Sequence, residues 1–300
     1  MTQRTITLIA GPTASGKSAL ALRMAQEKNA VIINTDSMQI YDVLNILTAR
    51  PTKEDTTAIS HYLYGYVNPS LHYSVGQWLC DVEKILNICT SKSLIFVGGT
   101  GLYFRALLEG IAEIPCIPDI VRKKWRLRLH EEGAECLYRQ LSQVDTLLSE
   151  KISSKDGQRI IRALEVYEVT GKRLSWWQKK KTRPLIDANS SDKILLMPSR
   201  QSLYRRINER FDYMVEKGVL KEVIAMKKLM LSPSLPAMKA IGMSELMAYL
   251  DGYKSYEDAI EEVKIRTRRY AKRQVTWFRN QFDNEWIPVS SDEEWQKVLK

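Results

Sequence analysis

Gly11-Pro12-Thr13-Ala14-Ser15-Gly16-Lys17-Ser18 fits the phosphate-loop pattern G-x-x-x-x-G-K-[ST] at every fixed position. The segment follows the apolar run Ile6 to Ala10 and precedes Ala19 to Met24, a stretch of good helix formers. That strand–loop–helix setting is the one the pattern needs. Its glycines let backbone N–H groups curl around phosphate oxygens, and the helix N-terminus adds positive potential. Lys17 is placed to neutralise an outer phosphate, and the Ser18 hydroxyl to sit on Mg²⁺. A ligand carrying a diphosphate or triphosphate is therefore expected in this loop.

Short apolar runs rich in β-branched residues occur at Thr5–Ala10, Val31–Asn34 and Leu94–Val97, with helical stretches such as Ser18–Gln26 and Val75–Cys89 between them. Alternating strands and helices imply a parallel sheet with crossover connections. Ligands of such sheets sit at the carboxyl ends of the strands. The loop at Gly11, then Asp36, then Gly98-Gly99-Thr100 fall at those ends. From about Ile114 the texture changes: Pro115 and Pro118 break the chain, and a basic, mostly helical stretch runs to about Trp177. Lys193–Met197 reads as another strand, and helices follow Ser199. The expected fold is α/β, a P-loop NTPase-like core with a parallel sheet plus a helical insertion domain. The core is expected to take in 1–113 and 193–300, and the insertion 114–192.

With 300 residues, 44% hydrophobic and 27% charged, the chain is long enough for a sizeable core and two domains. No apolar run approaches the roughly 18 residues of a membrane span. Met1 to Arg4 leads straight into the first strand, leaving no room for a signal peptide, so a cytoplasmic protein is expected. Cys80, Cys89, Cys116 and Cys136 have neither C-x-x-C pairing nor a His at metal spacing, and read as reduced thiols. The net charge of +10 is unevenly spread. Arg122 to Arg128 holds five basic residues in seven; Lys172 to Arg183 holds six, around Trp176-Trp177; Lys264 to Arg279 holds seven, with Tyr270, Trp277 and Phe278 among them. Basic runs interleaved with aromatics point to a nucleic-acid partner, against the plainer reading of solvated faces.

Two segments bear on the chemistry. Asp36, at a strand end beside the phosphate loop, suits either a Mg²⁺ ligand or a proton acceptor, and an Asp there also suits a helix cap. Gln39 close by suits reading an adenine edge. The run Ser93 to Val97 ends in Gly98-Gly99-Thr100, where a P-loop phosphotransferase usually carries an acidic residue supporting Mg²⁺. Glycines and a hydroxyl there suit close approach of a ligand, or a turn with an ordinary helix start at Thr100.

Taken together these residues resemble the tRNA dimethylallyltransferase (tRNA isopentenyltransferase) family. Gly11–Ser18 matches its diphosphate loop, Asp36-Ser37-Met38-Gln39-Ile40-Tyr41 its D-S-x-Q-x-Y, and Gly98 to Tyr103 its G-G-T-x-L-Y. Gln158-Arg159-Ile160-Ile161-Arg162-Ala163-Leu164-Glu165-Val166 matches Q-R-I-x-R-A-L-E-V, followed by Thr170-Gly171-Lys172. Leu203 to Ile207, Ala240-Ile241-Gly242 and Ala271 to Phe278 match further family segments, so the likeness spans nearly the whole chain. Departures are Leu47 where the family usually has glycine, His61-Tyr62 where it has a His pair, and Lys155 where Asn is common. No Cys/His cluster follows Phe282, so the likeness is to the type without a zinc finger.

The resemblance implies transfer of a dimethylallyl group from dimethylallyl diphosphate to N6 of the adenosine 3′ of the tRNA anticodon, with Mg²⁺ as cofactor. It implies Asp36 as general base and Thr100 and Lys17 as its catalytic company. Gly11, Pro12, Thr13, Ala14, Ser15, Gly16, Lys17 and Ser18 would hold the diphosphate, with Ser18 on the metal. Asp36, Ser37, Met38, Gln39, Thr100, Arg122, Gln158, Arg159, Ile160, Ile161, Arg162, Lys272 and Arg273 would meet the anticodon stem-loop. A monomer is the expected state. The rivals are a P-loop small-molecule kinase, an isopentenyltransferase acting on free AMP or ATP, and an RNA-binding protein with a vestigial loop. The missing acidic strand end weighs against the first, the basic helices against the second, and intact Lys17, Ser18 and Asp36 against the third.

Overall fold

The computed structural model describes residues 4–180, 182–290 and 294–295. Lys181 of the second basic run lies outside the described residues, as do Met1 to Gln3. Six parallel strands form one sheet: β1 (Ile6–Ala10), β2 (Ala30–Asn34), β3 (His61–Tyr62), β4 (Ser93–Gly98), β5 (Ser191–Leu196) and β6 (Ile287–Val289), in the order β3-β2-β4-β1-β5-β6. Strands buried on both faces read as unbroken apolar runs. Hence β1, β2 and β4 were legible in the sequence, whereas β3 and β6, with only two and three residues at the sheet edges, were not.

The register decides where the site lies. Ala10 pairs with Gly98, and Asn34 with Val97, so the loops after β1, β2 and β4 leave the sheet side by side. Helices α1 (Lys17–Glu27), α2 (Lys53–Ala58), α3 (Val75–Ile88) and α4 (Gly101–Glu109) follow these strands. Ser74 and Gln77 form a capping box that starts α3, and Thr52 and Asp55 do the same for α2. Leu20, Met24 and Ala25 of α1 pack on Ile9, Ile32, Ile95 and Val97 of the sheet.

The chain divides into two compact units, Met1–Leu108 with Leu185–Lys300, and Glu109–Pro184. The expected limits of 114 and 192 therefore move. On its return the chain is tied down early, because the backbone N–H groups of Leu185 and Ile186 both donate to Leu107 O, at 3.1 and 3.3 Å. The smaller unit holds α5 (Asp119–Glu132), α6 (Ala134–Val144), α7 (Thr146–Ser149), α8 (Gly157–Thr170) and α9 (Leu174–Trp177). Its own core joins Trp125, Leu137, Leu141, Ile160, Leu164 and Leu174. The larger unit is completed by α10 (Arg200–Glu216), α11 (Val219–Lys228), α12 (Met243–Leu250) and the 26-residue α13 (Tyr256–Gln281). Leu203, Ile207, Phe211 and Met214, spaced four, four and three apart, form the buried stripe of α10. Ile207 and Leu203 meet Ala271 of α13 and Ala14 of the phosphate loop, which sets both helices beside that loop. Among the described residues no helix is long and apolar enough to cross a membrane.

Candidate active site

Gly16 takes φ 94°, a conformation a side chain would strain, and caps α1. Lys17 opens the helix, and its Nζ folds back to donate to Pro12 O at 3.2 Å. Burial lowers the Lys17 pKa to about 8; the charge of Asp36 opposes the drop, and Arg210 adds to it. Arg210, from α10, donates to Thr13 Oγ1 at 2.5 Å, and burial lowers its pKa too, against the opposing charge of Asp36. Two partly buried cations thus face one carboxylate that acts on both. An incoming anion restores the balance, since charge attraction strengthens as groups lose contact with water. Ser15 is buried, Gly11 and Pro12 lie beneath the loop surface, and Ser18 stands exposed on the first turn of α1.

Asp36 follows β2, and its backbone is fixed by Asn34. The Asp36 N–H donates to Asn34 Oδ1 at 2.8 Å, and Asn34 Nδ2 donates to Asp36 O at 2.9 Å. Trp78 fixes the same strand end, its indole N–H donating to Asn34 O at 2.9 Å. Asp36 Oδ1 accepts from Met38 N at 2.9 Å, while Oδ2 has no hydrogen-bond partner among the described residues. Thr100 Oγ1 accepts from Ser37 N at 3.0 Å, and Thr100 N donates to Thr35 O at 3.2 Å, so the β2 and β4 loops are laced together.

Asp36 lines a cavity of about 480 Å³ and is the one carboxylate among the described residues that do so. Thr13, Ser37 and Met38 also line it, whereas Thr100 reaches it through Ser37. Its lining combines apolar side chains, Leu47, Phe211, Met214 and Ile241, with cationic ones, Arg210, Lys239, Arg266, Arg269 and Arg273. Tyr270 stands among them, its hydroxyl held protonated by burial, reinforced by Asp36. Of these, sequence reasoning missed Arg210 and Lys239; Arg266, Arg269 and Tyr270 were counted only within the basic run Lys264 to Arg279, and Gln274 only within a matched segment. The available signal for Arg210 was its place four residues after Arg206, flanking the apolar stripe of α10.

Several expected contacts are placed differently. Gln39 Nε2 donates to Thr48 O and Ala49 O, both at 2.9 Å, so its donors hold the 44–50 turn and are not offered to a base. Leu47, standing where glycine was expected, is buried in that turn, which Glu222 secures by accepting from the N–H groups of Asn45, Ile46 and Leu47. In the smaller unit, Ile160 and Ile161 are buried in the core, so their side chains anchor α8 and present no RNA-facing surface. Gln158 and Arg159 are exposed on the first turn of α8; Arg159 pairs with Asp156 at 3.2 Å and Arg122 with Asp119 at 4.0 Å. Arg162 is partly buried and pairs with Glu165 at 3.6 Å. Trp177 packs into the same core, and Trp176 sits between Lys172 and Lys180 at 4.1 and 4.2 Å. On α13, Lys272 is exposed, and Arg273 lines the cavity.

A magnesium ion takes oxygen ligands and leans on substrate phosphates. Among the described residues no three His, Cys, Asp or Glu side chains gather at metal-holding distance. The exposed Ser18 hydroxyl at the head of α1 fits that mode: one hydroxyl with the remaining ligands from diphosphate and water.

Comparison with known proteins bears on the family. The IPP transferase family model matches residues 39–281, and the isopentenyl transferase model matches 4–65. The chain is 76% identical over 294 residues to the tRNA dimethylallyltransferase of Bartonella quintana (strain Toulouse), covering 98% of this chain and all of that one. Among solved structures it is similar to the full-length tRNA isopentenylpyrophosphate transferase of Bacillus halodurans, with TM-score 0.69 and 30% identity over 99% of this chain and 95% of that one. A eukaryotic dimethylallyltransferase acting on tRNA superposes with TM-score 0.84 at 26% identity, over 99% of this chain and 78% of that one. With a phosphate loop, a lone cavity carboxylate and a glycine-ended β4 in one place, and with relatives alike along their whole length, this chain belongs to the tRNA dimethylallyltransferase family.

Proposed function

We propose that the chain transfers the dimethylallyl group of dimethylallyl diphosphate to N6 of the adenosine 3′-adjacent to the anticodon in tRNA, giving N6-isopentenyladenosine and diphosphate. The observation that carries this reading is Asp36: one carboxylate in a cation-walled cavity, with Oδ2 unengaged, beside a phosphate loop. A phosphotransferase would want an acid at the end of β4 to hold its metal, and β4 ends in Gly98.

The exocyclic amine of adenine is a weak nucleophile because its lone pair is shared with the ring. It needs a proton acceptor, and the allyl carbon needs a good leaving group. Asp36 Oδ2 takes the N6 proton as the N6–C1 bond forms. The C1–O bond breaks, and its electron pair leaves with the diphosphate. Lys17, Arg210 and the loop N–H groups meet the charge that develops there. Ser18 would help hold a Mg²⁺ ion, which would supply further positive charge to the leaving group. Met38, Leu47, Phe211 and Met214 give the five-carbon group an apolar wall.

An adenine must leave its stack to reach Asp36. Lys239, Arg266, Arg269 and Arg273 line the cavity with charge suited to the flanking phosphates, Lys272 is exposed on the same helix as the last three, and Arg159 is exposed on the smaller unit. Ser37, fixed by Thr100, is the polar group next to the base acceptor. A free nucleotide has no use for so broad a basic surface, which favours tRNA over AMP or ATP as acceptor. The test is incubation with unmodified tRNA, Mg²⁺ and dimethylallyl diphosphate, followed by nucleoside mass analysis. A prenylated adenosine is expected; unchanged adenosine would overturn the proposal.

A further inference from the structure

Gln274 on α13 is buried, with 6% of its surface exposed, and both ends of its amide are engaged. Its Nε2 donates to Gly99 O at 2.8 Å, and its Oε1 accepts from Thr13 N at 2.8 Å. One side chain therefore bridges the phosphate loop after β1 and the glycine turn after β4. Gly99 must lack a side chain for this to happen, since a Cβ there would collide with Gln274 Nε2. Thr13 is held from a second direction, because its hydroxyl accepts from Arg210 of α10. The N–H of Thr13 is thereby aimed at α13 and away from a phosphate, so the shape of the loop depends on where α13 sits.

The neighbours of Gln274 on the same helix face the opposite task. Arg273, next to Gln274 in sequence, and Tyr270, Arg269 and Arg266, one to two turns back along the helix, line the cavity. A helix is stiff over that distance, so a polyanion drawn onto these arginines and a diphosphate drawn into the loop act on one rigid body. We propose that Gln274 is a positioning residue that couples the grip on the diphosphate to occupation of α13 by RNA. This rests on the prenyl-transfer reading above. Coupling is reciprocal: if RNA strengthens diphosphate binding, the diphosphate strengthens RNA binding by the same factor.

The experiment measures the affinity of inorganic diphosphate with Mg²⁺, with and without saturating unmodified tRNA, for the wild type, Gln274→Met and Gln274→Glu. Methionine keeps the volume and loses both hydrogen bonds. Glutamate keeps the acceptor for Thr13 N and loses the donor to Gly99 O. The wild type is expected to bind diphosphate roughly tenfold more tightly when tRNA is present, within the usual range of coupling. Gln274→Met should bring that factor close to one, with tRNA affinity alone changed by less than about twofold. Gln274→Glu should fall between. Gly99→Ala disturbs the same bridge from the other side with Gln274 in place, and should reproduce the loss even if a Gln274 variant fails to fold. Equal coupling in wild type and variants, or none in the wild type, would overturn the proposal. A wild type that prenylates tRNA without coupling sinks this inference alone, while one that transfers no prenyl group sinks the function on which it rests.

Discussion

The cations at the phosphate loop and those on the helical unit carry the same charge in opposite circumstances. Lys17 and Arg210 are partly buried, and one carboxylate, Asp36, acts on both. On the smaller unit, Arg159 and Lys124 are exposed and Arg128 is half-buried, each within 4.0 Å of its own carboxylate: Asp156, Glu168 and Glu132. The first pair is unbalanced and desolvated, so its field is strong at short range and aimed at one place. The second set is screened by salt and by its partners, so it can lend affinity and orientation but little chemistry. Under the proposed function the first pair forms a catalytic group and the second set a docking group, separated by their surroundings and not by residue type.

The sharpest way to break that division is to remove the carboxylate between the buried cations. Asp36→Asn should lower single-turnover prenyl transfer by about 10²–10⁴-fold while tRNA affinity holds, as expected for loss of a general base. Equal loss of both would take Asp36 out of that role. Arg210→Ala should lower transfer by about 10²-fold, the scale of one lost leaving-group contact, again without changing the salt dependence of tRNA binding. A rate within a few fold of wild type would place Arg210 among the supports of Thr13 only.

The pH dependence sharpens the same comparison. Diphosphate needs Lys17 charged, and in the unliganded site its pKa is about 8. Diphosphate affinity should therefore fall as pH rises through 8, by about tenfold per unit beyond it, with proton uptake on binding seen by calorimetry in buffers of different ionisation enthalpy. Folding stability linked to Lys17 should run the other way. Between about 8 and the ordinary 10.5 the unfolded chain binds the extra proton, so this contribution rises with pH. Diphosphate affinity flat across pH 8 would contradict the buried-cation account.

The smallest effects belong to the exposed set. Arg159→Ala should reduce the slope of log affinity for tRNA against log salt by about 0.9, with an unchanged melting temperature. Arg162→Ala should act differently, because Arg162 pairs with buried Glu165 in the core side of α8. Its loss should lower the melting temperature by roughly 2–4 °C. If both variants changed only the slope, Arg162 would join the docking group.

What the sequence made legible follows from range. The phosphate loop, the buried strands and the caps are local patterns, each set by a few adjacent residues. Asp36, Gly98 and the loop at Gly11 could be brought together because a parallel sheet sends its strand ends to one side. The place of Arg210, Tyr270 and Gln274 beside the phosphate loop was not legible, since they join the site across 174 or more residues by the packing of α10 and α13. Gln39 shows the same limit from the other side: its type suited a base edge, but the nearby Thr48 and Ala49 carbonyls took its donors. Ile160 and Ile161 fell within a family segment and proved to be core, because three or four residues of any helical motif must face inward.

The central claim is that the loop holds a leaving group and that the acceptor is adenosine in tRNA. One incubation tests it most directly: unmodified tRNA, Mg²⁺, carbon-labelled dimethylallyl diphosphate and γ-phosphorus-labelled ATP, with the label followed into product. The account predicts carbon label on adenosine of the recovered tRNA and no phosphorus label transferred to any acceptor. Phosphorus label in an acceptor, with the tRNA free of carbon label, would contradict it.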